Sequence, residues 1–164
     1  PLSRLPGDLA QTGTTPNYAF ITPNLCNDGH TNPCVGVNVQ GTHTGGLVAA
    51  NAWLETWIPT IVNSAAFKQD GLLIVTFDEA GLTDTSSCCN APTGLGTVWP
   101  GLLPGQGGGR VGAVLISKWI RPGSVNATPY NHYSQLRSVE QLFGLSALAG
   151  ASSAPAFGAD VYNG

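Results

Sequence analysis

Leu72-Leu73-Ile74-Val75-Thr76-Phe77-Asp78-Glu79 decides the fold class, because an unbroken β-forming run stops abruptly on two carboxylates. Strands that alternate apolar and polar residues face water on one side. A run without alternation predicts a strand covered on both faces, the habit of parallel sheets in α/β proteins. Val111-Gly112-Ala113-Val114-Leu115-Ile116-Ser117 is a second run of the same kind. Between the two lies a Gly-, Pro-, Ser-, Thr- and Cys-rich stretch from Gly81 to Gly109, too long for a passive connection. Upstream, Leu47, Ala50, Leu54, Trp57, Ile58, Ile61 and Val62 recur at helical steps, which predicts a helix from Gly46 kinked at Pro59. Downstream, Leu136, Val139, Leu142 and Phe143 predict another helix, with Ser134 as its N-cap and Gly144 just past its end. Tyr18-Ala19-Phe20-Ile21 reads as a short strand turning at Thr22-Pro23-Asn24. The expected architecture is α/β, a mostly parallel sheet flanked by helices, in a single domain over residues 1–164.

Composition narrows the function classes. Charged residues make up 9% of the 164, against about 25% in average soluble domains. Six cationic side chains and a net charge of −3 leave nothing to build a nucleic-acid groove or a polybasic membrane patch. No stretch reaches the roughly 18 apolar residues of a membrane-spanning helix. The four cysteines, Cys26, Cys34, Cys88 and Cys89, lack the paired spacing of a zinc finger. They allow three disulfide connectivities. Cys26–Cys34 is favoured because it closes a short loop, with Cys88 and Cys89 either joined to each other or partly free. Absence of Met, few Lys and a Thr/Ser/Asn/Gly surface fit an exported protein. Asn126-Ala127-Thr128 is a formal glycosylation sequon weakened by Pro129.

In open α/β sheets ligands gather beyond the carboxyl ends of strands, which is where Asp78 and Glu79 stand. They are two of only nine acidic residues, and paired carboxylates suit hard divalent cations. The alternative is that Asp78 caps the next turn and Glu79 is simply solvated. Asp28-Gly29-His30 places a carboxylate and an imidazole inside the Cys26–Cys34 loop, either as anion or metal contacts or as an Asx-turn with an exposed ring. His132, just before the late helix, can face an anion at a helix N-terminus or be an ordinary residue of the capping region. Arg110 follows Gly107-Gly108-Gly109 and can clamp an anion or pair with a nearby carboxylate. That glycine run is no phosphate loop, since it precedes a strand and lacks the Gly-Lys-Ser/Thr ending. His43 reads as an ordinary surface residue. Carboxylates and imidazoles at strand ends and loop-to-helix junctions are what metal-assisted phosphoryl or sulfuryl transfer uses.

Four strings taken in order carry a resemblance: Pro23-Asn24-Leu25-Cys26-Asn27-Asp28-Gly29-His30, Val75-Thr76-Phe77-Asp78-Glu79-Ala80, Gly108-Gly109-Arg110-Val111-Gly112 and Tyr130-Asn131-His132-Tyr133-Ser134-Gln135-Leu136-Arg137-Ser138-Val139-Glu140. Together they resemble the bacterial phosphoesterase family of acid phosphatases and phospholipases C, over about Pro16 to Gly150. The resemblance implies an alkaline-phosphatase-like fold, a phosphoester substrate, one or more divalent metal ions of unspecified identity, and a secreted, periplasmic or cell-surface location in a bacterium. It implies that Asp78 and Glu79 bind the metal, and that Asp28 and His30 line the phosphoryl site. It likewise makes His132 and Arg110 the family's catalytic His and Arg. Members place a Ser or Thr nucleophile and Glu-Asn metal ligands in an N-terminal half that has no counterpart here, so the chain resembles a C-terminal half. The nucleophile is then expected on a missing N-terminal segment or a partner chain. Thr31 stands where members often carry Asp after the motif His. The alternative function is a non-catalytic secreted binding or assembly module that keeps the fold. A sulfatase-type relative is a weaker third reading, since the formylglycine-precursor motif is not visible.

Overall fold

In the computed structural model the described residues are 2–35, 44–81, 84, 86–91, 96–98, 103–105 and 108–164. They form two units, Pro1–Gly71 and Leu72–Gly164, each taken by itself below.

The first unit opens with 3₁₀ turns at Leu2–Arg4 and Thr12–Thr14 around the four-residue α1, Leu5–Asp8. Residues 19–24 take no regular secondary structure, so the strand expected at Tyr18–Ile21 does not form as a ladder. A segment of that length needs a partner for its backbone groups before its apolar side chains count. Cys26 and Cys34 are both buried and joined to each other. Their loop docks on α2, Gly46–Val62, through the Gly46 N–H, which donates to Thr31 O at 2.9 Å. Gly45 has φ +70, and a side chain there would collide with Thr31 O, so only glycine lets the chain enter the helix so close to the loop. The helix continues through Pro59 to Val62. Of its expected apolar face Ala50 is buried, and Leu54, Trp57, Ile58, Ile61 and Val62 are half-buried. Leu47 is an exception, 68% exposed. The short α3, Ala65–Asp70, is capped by Ser64 Oγ, which accepts from Phe67 N at 3.2 Å.

The second unit contains both strands anticipated from their composition. β1, Leu72–Thr76, pairs with β4, Ala113–Ser117, in a register running from Leu72 opposite Ser117 to Thr76 opposite Ala113. The pair is antiparallel, which corrects the expected parallel sheet. The apolar runs encode burial, not direction, and even the burial is partial here. All five β1 residues are half-buried and Val114 on β4 is 60% exposed. Two strands do not by themselves make the flanked sheet of an alkaline-phosphatase-like fold. A second antiparallel pair joins β2, Gly96–Val98, to β3, Leu103–Gly105.

The late helix is α4, His132–Leu142. It closes on a Schellman motif, with Gly144 at φ +64, Leu145 N donating to Glu140 O at 2.8 Å and Gly144 N to Gln141 O at 3.1 Å. Its most buried face is not the expected apolar stripe, for Leu136, Leu142 and Phe143 are exposed while Ser134, Ser138 and Glu140 are buried. The segments following α4 present backbone N–H groups to it, and these need acceptors. Ser138 Oγ accepts from Phe157 N at 2.8 Å, and Glu140 Oε1 from Leu148 N at 2.8 Å. Arg137 lies 3.8 Å from the other Glu140 oxygen. Among the described residues no helix is long and apolar enough to cross a membrane.

Candidate active site

The end of β1 delivers Phe77, Asp78 and Glu79 to the surface, all three exposed. Asp78 Oδ1 accepts the backbone N–H of Glu79 at 3.1 Å, so the first carboxylate is partly used in holding the second. One residue on, Ala80 N donates to Gly108 O at 2.7 Å, which lays the segment leading to β4 alongside the end of β1.

That segment is locked by Asp84. Its Oδ1 accepts from Ser86 Oγ at 2.6 Å and from Ser86 N at 3.1 Å, and its Oδ2 accepts from Arg110 N at 3.1 Å. These bonds, the Ser86 hydroxyl foremost and the Arg110 and Ser86 amides after it, hold the Asp84 carboxyl below its ordinary range. Gly109 between them sits at φ +73 with its N–H on Ser86 O at 3.0 Å. An added Cβ would lie 2.5 Å from Ala80 Cβ and would collide with Asp84 O. The Arg110 backbone is thus fixed while its exposed guanidinium makes no ion pair with a described residue. Asp84 was not singled out from the sequence. Its signal was the Asp-x-Ser spacing of an Asx-turn, obscured in a polar loop.

His132 arrives with the start of the late helix. The N-cap is Asn131 rather than Ser134. Asn131 Oδ1 accepts from Ser134 N at 3.0 Å while Ser134 Oγ accepts from Asn131 N at 3.3 Å, a reciprocal capping box with Ser134 at the third helical position. Asn131 Nδ2 also donates to Cys89 O at 3.0 Å, and Cys88 and Cys89 are joined to each other. His132 is therefore the first residue of α4, and its Nε2 lies 2.9 Å from Asp78 O. A carbonyl oxygen can only accept, so Nε2 carries the proton, and in the neutral ring Nδ1 keeps its lone pair. The fold brings the His132 ring to the Asp78 backbone across 54 residues of sequence.

Asp28 and His30 belong to the first unit. Asp28 Oδ1 accepts from His30 N at 2.8 Å, an Asx-turn with Gly29 at φ +98, and the His30 ring is exposed with Nδ1 3.4 Å from Thr31 Oγ1. An open, mostly apolar groove lined by Asn27, Val48, Ala52 and Trp53 adjoins this loop. His43 and Gly107 lie outside the described residues. Among the described residues no three His, Cys, Asp or Glu side chains gather closely enough to hold a metal ion. Asp78 and Glu79 bring the hard oxygen donors a divalent cation prefers, but not a full ligand set.

Residues 2–146 match the profile described as the Phosphoesterase family. The chain belongs to the phosphoesterase family. It is 31% identical over 137 residues to an acid phosphatase of Aspergillus fumigatus, covering 81% of this chain and 23% of that protein. It is 30% identical over 125 residues to a probable acid phosphatase of Kluyveromyces lactis, covering 76% and 22%. It is 29% identical over 140 residues to a phosphatidylinositol-3-phosphatase of Mycobacterium tuberculosis, covering 85% and 34%. The chain therefore spans about a quarter to a third of the length of these relatives, which come from fungi as well as a bacterium. The family match takes in Asp28, His30, Asp78, Glu79, Arg110 and His132.

Proposed function

We propose that this chain supplies part of the active site of an exported phosphoester hydrolase acting on phosphate monoesters. The observation that carries the reading is the contact of His132 Nε2 with the backbone oxygen of Asp78, which ties an imidazole to the backbone of the exposed Asp78-Glu79 pair in a phosphoesterase-family chain. Asp78 and Glu79 are assigned as ligands of a divalent cation whose remaining ligands, like the nucleophile, come from residues outside these 164. Such a cation, when bound, neutralises charge on the phosphoryl oxygens. With Nε2–H held by Asp78 O, His132 Nδ1 is the nitrogen left to hold or pass a proton at the ester oxygen. Arg110 offers a guanidinium to phosphoryl oxygens, its backbone steadied by Asp84. The resemblance of the Pro23–His30 string to the family supports giving Asp28 and His30 phosphoryl-binding roles. The names of the relatives, phosphatases throughout, favour monoesters over the diesters of a phospholipase C. Two disulfides support export, since such bonds persist in oxidising compartments.

The test is hydrolysis of an aryl phosphate by the full-length protein, with and without chelator. Chelation and Asp78→Ala should each lower kcat by about 10³-fold, in line with the loss of an electrostatic stabiliser. Turnover unchanged by Asp78→Ala would end the assignment. No turnover together with retained cation binding would favour the non-catalytic module.

A further inference from the structure

The C-terminal segment, unused so far, converges on the residues that lead into His132. Asp160 collects three side-chain donors from one short loop. Tyr130 Oη donates to Oδ1 at 2.8 Å, while Asn126 Nδ2 at 2.8 Å and Thr128 Oγ1 at 2.6 Å donate to Oδ2. The Asn126 amide of the formal sequon is thereby occupied. Tyr130 Oη in turn accepts from Gly158 N at 3.1 Å, and the Tyr130 ring meets Phe157 edge to face with centroids 5.0 Å apart. Phe157 N reaches the second turn of α4 through Ser138 Oγ at 2.8 Å. Residues 157–160 thus hold positions 126, 128 and 130 on one side of His132 and position 138 on the other.

We infer that Asp160 is a positioning residue for His132, with the 157–160 segment acting as a clasp that sets the imidazole against Asp78 O. This rests on the reading of His132 given above. Only Asn131 separates the clasped Tyr130 from His132, and a helix start held on both sides has little freedom to slide. The three donated hydrogen bonds, Thr128 first and then Asn126 and Tyr130, keep the Asp160 carboxyl well below the usual carboxylate range, so it is a charged acceptor under any physiological condition. Removing it leaves three donors to find water and frees the loop.

The experiment compares Asp160→Ala, Asp160→Asn and Tyr130→Phe in the full-length protein. Aryl phosphate kinetics should show kcat falling about 10- to 100-fold in Asp160→Ala with KM within about twofold, because displacement of a group acting in the transition state spares ground-state binding. Asp160→Asn, which keeps one acceptor oxygen, should fall between Asp160→Ala and the parent. Independently of turnover, histidine nitrogen NMR should show a single Nε2–H form for His132 in the parent. Both Asp160→Ala and Tyr130→Phe should move it toward mixed tautomers. If both variants fold and the His132 signals stay put, the clasp does not position the ring and the inference is overturned. If the NMR change occurs while the parent protein turns nothing over, the clasp stands and the hydrolase assignment alone fails. Should Asp160→Ala not fold, Tyr130→Phe, which removes one hydroxyl, decides the question.

Discussion

The loop from Asn24 to Cys34 and the junction at the end of β1 hold the same pair of chemistries, carboxylate and imidazole, by opposite means. In the loop, order is local. Asn24 Oδ1 accepts from Cys26 N and Asn27 Nδ2, Asp28 Oδ1 accepts from His30 N, and a disulfide closes a separation of eight residues. At the junction order is long-range, with bonds spanning 26 residues from Arg110 to Asp84, 42 from Asn131 to Cys89 and 54 from His132 to Asp78. A loop of the first kind restricts its own unfolded ensemble. A junction of the second kind exists only while strand, loop and helix are all in place. Its members should therefore respond together when any one is disturbed.

Gly109→Ala is the severest way to test that collective behaviour. The substitution forces a Cβ into φ +73 and against Ala80 Cβ and Asp84 O, so strain and collision add. We expect a loss of about 3 kcal/mol, the sum of a left-handed non-glycine residue and a backbone shift. Amide exchange should accelerate at Ala80, Gly109 and Arg110 together, since all three N–H groups cross the same seam. Acceleration at Gly109 alone would mean that the junction is a set of independent contacts.

Replacing Cys26 and Cys34 by Ser tests the loop. Closing so short a loop contributes about 2–3 kcal/mol by the chain-entropy account. The double variant should lose that much, read as a lower denaturant midpoint and faster exchange at Thr31 and Gly46, whose amides bond within the loop and from the helix to it. The His30 amide should be the least affected, because its acceptor on Asp28 lies two residues away and needs no cross-link. Equal loss at His30 would show that the Asx-turn depends on the disulfide.

The same contrast explains what was legible in the sequence. The strand at Leu72–Thr76, its partner at Ala113–Ser117, the helix starting at Gly46 and the Cys26–Cys34 bond were all readable because each is set by local pattern or short separation. Strand direction was not, since a run such as Leu72–Phe77 records how apolar its surroundings are and nothing about the strand beside it. The Asn131 cap was displaced by three residues onto Ser134 because both residues are good cappers and the box uses both. The His132 contact could not be foreseen because its partner is a backbone carbonyl, which every residue has. Asp84 and Asp160 went unnoticed for a related reason. Each ties its loop to the rest of the unit through donors 26 to 34 residues away, and a lone Asp in a polar segment reads as solvated.

Asn131→Ala is the mildest and most discriminating change, because it removes a local feature from the long-range junction. The cap on Ser134 N is worth about 1 kcal/mol by analogy with other N-cap deletions. If the capping box served only the helix, that loss would be the whole effect, and Asn131→Asp, which keeps an acceptor for Ser134 N, would restore it fully. But Asn131 also donates through Nδ2 to Cys89 O, a bond that Asp cannot make. Asn131→Asp should therefore recover helix stability while leaving the loop around Cys88 and Cys89 untied, seen as unprotected exchange at Ala91 with the Ser134 amide protected. Full recovery of both amides in Asn131→Asp would show that the Cys89 contact contributes nothing. The junction would then be held by the seam at Ala80, Gly109 and Arg110 without help from the start of α4.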